Sequence, residues 1–130
     1  ATERGGSTQR HGSTHERGRH GEQLACRHLL NAGFRIVERN FRRSTGEVDI
    51  IAEHGGVLAF CEVKHWEGMP SESLQRAIDR RKQGRILRTS LWFLKEHPEF
   101  QEHQLRYDVL FVAAGRIRHL ENAFGGHGVW

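Results

Sequence analysis

The chain has 130 residues, room for one domain and hardly two. At that size roughly two-thirds of the unfolded surface can be buried, so neither metal nor disulfide staples are needed for folding. The formal net charge is +4, from arginine more than lysine, which favours a polyanion partner; no run of about 18 apolar residues and no signal-peptide pattern occurs, so a soluble cytoplasmic protein without membrane contact is expected.

Residues 1–21 hold no Val, Ile, Leu, Phe or Trp and read as a disordered basic arm carrying Arg4, Arg10, Arg17 and Arg19. A single domain is expected over 22–124, followed by a mobile Gly-rich tail over 125–130. The first helix is predicted from Glu22 to Asn31, with Leu24, Ala25, His28 and Leu29 on one face and Gly33 as the stop. Cys26 and Cys61 sit within apolar patterns and read as buried free thiols.

Phe34 to Phe41 alternates as a strand. The basic loop Arg42-Arg43-Ser44-Thr45-Gly46 then delivers two cations beside Glu47 and Asp49. Next come two β-type runs around His54-Gly55-Gly56, within residues 46–64. Gly-Gly is a strong signal for a tight two-residue hairpin turn, which needs positive φ at both positions. In that register Ile51 faces Phe60, Asp49 faces Glu62 and Glu47 faces Lys64, all on one side of the sheet. Val48, Ile50, Ala52, Ala59, Cys61 and Val63 make the other side wholly apolar. Two carboxylates directly opposite each other destabilise a sheet, and a divalent cation is the natural compensation.

A loop through Trp66, Gly68 and Pro70 leads to a long helix over about 74–96, with Ser71 or Ser73 as candidate caps. One apolar stripe includes Ile78, Ile86 and Phe93, widened by Leu87, Ser90, Leu91 and Leu94. Lys82 interrupts the stripe, either as a snorkelling lysine or as one reaching toward a phosphate. Arg76, Arg80, Arg81, Arg85 and Arg88 form a separate basic grouping. His97-Pro98 ends the helix. Strands follow over Leu105 to Ala113 and Arg116 to Leu120, with Asp108 and Arg106 read as a structural ion pair. The connection from the second hairpin strand through the long helix has the size of a right-handed crossover between parallel strands, which implies an α/β mixed sheet flanked by helices.

Asp49 and Glu62 supply hard oxygen ligands for Mg²⁺ or Mn²⁺, and the Val63 carbonyl adds a third. Lys64 lies on the same face, where it can orient a water or stabilise charge on phosphorus. Arg42, Arg43, Arg81, Lys82 and Arg85 are the candidate nucleic-acid contacts. The combination points to metal-assisted phosphodiester hydrolysis, with a non-catalytic nucleic-acid binder as the alternative.

The pattern Asp49…Glu62-Val63-Lys64 resembles the PD-(D/E)XK signature of restriction-endonuclease-like enzymes. Taken with Gly21-Glu22…Ala25, Arg39-Asn40, Gly46 to Ala52, Phe60 to Lys64, Arg81-Lys82, Arg106 to Val109 and Asn122 to Phe124, the chain resembles the YraN family of small bacterial proteins. Cys61 stands where that family usually has Val, Trp66 where it usually has Arg, and the signature Pro before Asp49 is absent. The resemblance implies a helix-strand-strand-strand-helix-strand core and a likeness to Holliday-junction resolvases. It also implies an endonuclease acting on DNA, with branched or structured DNA as the candidate substrate, Asp49, Glu62 and Lys64 as its core residues and Glu22 as a further acid. By analogy with resolvases a homodimer is expected.

Overall fold

The computed structural model describes residues 14–66 and 77–125, with side chains from Gly18 onward. The elements run α1 (Thr14–Asn31), β1 (Arg35–Arg43), β2 (Gly46–His54), β3 (Val57–His65), α2 (Arg80–Glu96), a 3₁₀ turn (Pro98–Phe100), β4 (Gln104–Ala113) and β5 (Arg116–Phe124). They form one five-stranded sheet in the order β1-β2-β3-β4-β5. β3 and β4 are parallel and the other neighbours antiparallel. This is the expected mixed α/β sheet, compatible with a restriction-endonuclease-like core.

The hairpin forms as its Gly-Gly signal demands. Gly55 and Gly56 adopt φ of 56° and 82°, the backbone that matches the right-handed twist of the flanking strands. The ladder runs from His54 opposite Val57 to Ile50 opposite Cys61, with Ile51 opposite Phe60. The sheet therefore has two buried faces. Ile50, Ala52, Ala59 and Cys61 pack with Ala25, Cys26 and Leu29 of α1. Ile51, Leu58 and Phe60 pack with Ile86, Leu87 and Phe93 of α2. Phe60 stacks on Tyr107 at 5.5 Å between centroids, and Phe93 meets Phe41 edge-on at 5.3 Å. Cys26 and Cys61 are buried free thiols.

Several local expectations are corrected. Val48 packs with Phe41 in the α2-side cluster rather than with Ile50. At this end the β2–β3 ladder stops at Ile50 opposite Cys61, and Asn40, between the Arg39–Ile50 and Phe41–Val48 pairs, takes a left-handed φ of 53°. Leu91 is exposed rather than part of the core stripe. α1 starts at Thr14, well before Glu22 and inside the stretch read as a disordered arm. A helix packed further along its length propagates outward one backbone bond per residue, without needing an apolar face in its first turns. α2 starts at Arg80, and its cap is Asp79, whose carboxylate accepts the Lys82 N–H at 2.8 Å. Ser71, Ser73, Leu74 and Arg76, like most of the N-terminal arm and the 126–130 tail, lie outside the described residues.

The Asp108–Arg106 pair is structural, as expected. Asp108 is fully buried on β4. It accepts from Arg106 at 2.9–3.3 Å, from His119 Nε2 at 2.8 Å and from the Asn122 backbone N–H at 2.9 Å. Burial raises the Asp108 carboxyl, but those donors outweigh it and hold the group below its ordinary value.

Candidate active site

Where β2 and β3 leave the regular ladder, four carboxylates gather. Asp49 Oδ2 accepts the Val63 N–H at 2.8 Å, so a side chain takes over a backbone partner at the point where the two strands would bring acids face to face. Glu62 is 5% exposed, on β3 beside Val109 of β4. A cavity of about 100 Å³ is lined by Glu47, Asp49, Glu62, Lys82, Arg85 and Ile86. The register thus brings Asp49 and Glu62 to one cavity, under the first turns of α2.

Lys82 resolves the ambiguity of its position in the helix stripe. Its Nζ lies 2.6 Å from Glu62 Oε2. Burial, the largest single influence, lowers the Lys82 ammonium, but the Glu62 hydrogen bond and the charges of Glu62 and Asp49 together outweigh it and hold the group above the usual lysine value. Arg85 reaches the same cavity because β2 begins with Gly46, at φ 146°. A Cβ there would lie 3.2 Å from Arg85 Cβ and 3.4 Å from Thr89 Oγ1. Only glycine lets the strand start so close to the helix.

Glu22 enters from α1. Its carboxylate accepts from Asn40 Nδ2 at 3.1 and 3.2 Å, and Arg39 lies 3.6 Å away. The same Asn40 amide donates to Glu47 Oε2 at 3.1 Å. A second cavity of about 290 Å³, lined by Gly18, Arg19, Glu22, Asn40, Arg42 and Glu47, adjoins the first through Glu47. Asn40 was the residue whose bridging role the sequence reading missed. Its signal was an Asn inside a strand, a position that side chain disfavours without a specific partner.

Two expected neighbours fall elsewhere. Glu47 does not meet Lys64 but Asn40 and Arg42, the latter at 3.2 Å. Arg43 points away from Asp49: Nε donates to Glu96 at 2.9 Å, Nη2 pairs with the same carboxylate, and the guanidinium lies 4.2 Å from the Phe41 ring centroid. The strand's alternation sends Arg42 and Arg43 to opposite sides. Lys64 is half-buried beside Phe111 of β4 and makes no ion pair among the described residues; the cavity wall does not include it. Arg81 is exposed on α2.

In this corner Glu62 has Lys82 as its counter-ion, whereas Asp49 makes no ion pair among the described residues. The Asp49 carboxyl is pushed up to about 8, first by burial and then by Glu62, with Glu22 and Glu47 adding to the rise and the Val63 N–H opposing it. A buried carboxyl that still holds its proton near neutral pH can give it up to a divalent cation. The donors are hard oxygens, which fit Mg²⁺ or Mn²⁺. Among the described residues no group of three or more His, Cys, Asp or Glu side chains is placed to hold a metal ion by itself. A few protein oxygens with water completing the shell is the usual setting for Mg²⁺.

Residues 21–112 match the model of an uncharacterised protein family, UPF0102. A UPF0102 protein of Persephonella marina is 38% identical over 112 residues, covering 83% of this chain and 92% of the relative. One from a Parafrankia species is 42% identical over 112 residues, covering 82% and 94%. One from Thermodesulfovibrio yellowstonii is 34% identical over 109 residues, covering 84% and 96%.

Proposed function

Because the chain belongs to the uncharacterised family UPF0102, the YraN family, its chemistry has to be read from the site itself, and we propose that it is a metal-dependent endonuclease that hydrolyses phosphodiester bonds in DNA. The observation that carries this reading is the pairing of Asp49 and Glu62 on one cavity, with the Asp49 carboxyl pushed up to about 8. Asp49, Glu62 and the Val63 carbonyl would hold Mg²⁺ or Mn²⁺. The ion would supply Lewis-acid stabilisation of phosphoryl oxygens and a bound water of lowered pKa.

The chain's own residues do the rest. The Val63 N–H fixes the Asp49 carboxylate, so a ligand is positioned before substrate arrives. Lys82 neutralises Glu62 and stands ready to move toward a phosphate. Lys64, two residues beyond Glu62 on β3, orients the attacking water or meets charge developing on the scissile group. Glu22, tied through Asn40 to Glu47, keeps a further acid beside the pair. Arg42, Arg81 and Arg85 hold the sugar-phosphate backbone, and Arg43 joins them only by leaving Glu96. No helix among the described residues is long and apolar enough to cross a membrane.

A second reading is favoured by the Lys82–Glu62 contact and by the place of Lys64 outside the cavity wall. A protein that keeps the fold to bind nucleic acid without cutting it would use Lys82 as a permanent counter-ion. Metal titration separates the two. The nuclease binds Mn²⁺ and loses it on Glu62→Ala; the binder takes up none. A cleavage screen over branched, single-stranded and duplex DNA with Mg²⁺ or Mn²⁺, wild type beside Asp49→Asn and Lys64→Ala, tests the activity itself.

A further inference from the structure

The exposed face of α2 carries a stripe of which the catalytic reading uses only Arg81 and Arg85. Arg81, Arg85, Arg88, Trp92 and Lys95 recur at spacings of four, three, four and three, so they share one side of the helix. All five are exposed, and Trp92 is 39% exposed. Its site end, Arg85, lines the cavity that holds Asp49 and Glu62. Its far end opens into a shallow depression of about 320 Å³, lined by Thr45, Arg88, Leu91, Trp92 and Lys95.

The walls of this depression are held in place. Thr45 Oγ1 and Thr89 Oγ1 are 2.7 Å apart, which ties the β1–β2 turn to the helix. Lys95 Nζ lies 5.3 Å from the Trp92 ring centroid. Gly84 leaves room for Arg88: a Cβ at Gly84 would be 3.2 Å from Arg88 Nη1, so that guanidinium leans back toward the catalytic end. Glu96, the acid beside the stripe, is already held by Arg43. The surface therefore presents cations, one broad aromatic face and no uncompensated carboxylate of its own, which suits a partner that is both anionic and aromatic.

We propose that Trp92 is a stacking platform for an unpaired nucleobase and that the stripe leads a single strand of DNA from the catalytic cavity to it. The inference rests on the nuclease reading for its direction and narrows the substrate to DNA with an unpaired strand beside the scissile phosphate. Seven residues separate Arg85 from Trp92, about 10 Å at 1.5 Å per residue, or about three steps of a stacked strand at 3.4 Å. A duplex keeps its base faces inside the stack and gives Trp92 nothing to stack on, whereas a single strand offers a π-face at every nucleotide.

The test is binding, carried out in EDTA so that cleavage plays no part and failure of the nuclease reading leaves the result interpretable. Wild type, Trp92→Ala and Trp92→Phe are titrated with an oligothymidylate of about twelve residues and with a blunt duplex of the same length. The circular dichroism melt of each variant is recorded. Stacking predicts that Trp92→Ala weakens single-strand binding by about tenfold, Trp92→Phe by much less, and neither changes duplex binding by more than about twofold. It also predicts quenching of wild-type tryptophan fluorescence by the oligothymidylate that is lost in Trp92→Phe. Equal single-strand affinity of wild type and Trp92→Ala overturns the proposal, and so does an equal loss for both ligands. Concentration-dependent self-association of wild type that Trp92→Ala abolishes also overturns it, by assigning the patch to a second copy of the chain.

Discussion

Asp49 is the residue on which the proposed chemistry turns, and its environment makes its titration informative. In the unfolded chain an aspartate ionises near pH 4; in the folded chain burial and Glu62 push Asp49 up to about 8. A folded pKa above the unfolded one contributes stability that is complete below about pH 4 and is lost as the pH rises through about 8. Metal-free wild type is therefore expected to lose stability across that window, while Asp49→Asn does not. At pH 8 the variant should be more stable by roughly 1–3 kcal/mol, measured by urea denaturation in EDTA. On the proposed reading Mn²⁺ competes with the same proton, so its stabilisation of wild type should grow from pH 6 to 8.5 and be absent in Asp49→Asn. Asp108 behaves in the opposite sense. Its carboxyl is held below the usual range by Arg106, His119 and the Asn122 N–H, so its contribution is present at neutral pH and is lost as the pH falls below about 4. Asp108→Ala leaves Arg106 and His119 without their buried partner and should cost about 3–5 kcal/mol in a denaturant melt.

Among the elements, the β2–β3 hairpin was the most legible. Gly55-Gly56 specified a turn with two positive φ values, that turn set the register, and the register put Ile51 opposite Phe60 and the acids at one end. Replacing both glycines with alanine should destabilise the protein by about 1 kcal/mol per residue, whereas Gly55→Asn should be neutral or stabilising; thermal melts check both. The edge of the same hairpin was not legible. A period-two pattern assumes an unbroken pleat, and near Val48 it is broken where the β2–β3 ladder ends at Ile50 and Asn40 across on β1 turns left-handed. Val48 and Glu47 consequently sit where alternation does not place them. The split roles of Arg42 and Arg43 were equally hidden, because sequence shows two adjacent cations but not that Glu96, far along the chain, claims one of them. For α2 the interruption by Lys82 was the useful signal, although sequence alone left its partner open between solvent and phosphate; the partner is Glu62.

At the scale of the whole molecule, one sheet with a helix on each face brings residues from α1, β1, β2, β3 and α2 to a single corner, and α2 extends that corner into a basic, aromatic surface. Nucleic-acid binding along this surface should fall steeply with salt, and Arg81→Glu and Arg85→Glu should each lower the slope of log affinity against log salt by about one. That pattern would follow from binding alone. The proposed catalysis makes a stricter demand on Asp49 and Glu62, and the most direct measurement is a cleavage screen in Mn²⁺ over forked, single-stranded and duplex DNA, with Asp49→Asn and Glu62→Gln beside wild type. The expected result is cutting by wild type that requires the ion, is greatest on substrates with an unpaired strand, and is reduced by about a hundredfold or more in either variant. No cutting of any substrate by well-folded wild type, or equal cutting by Asp49→Asn, would contradict it.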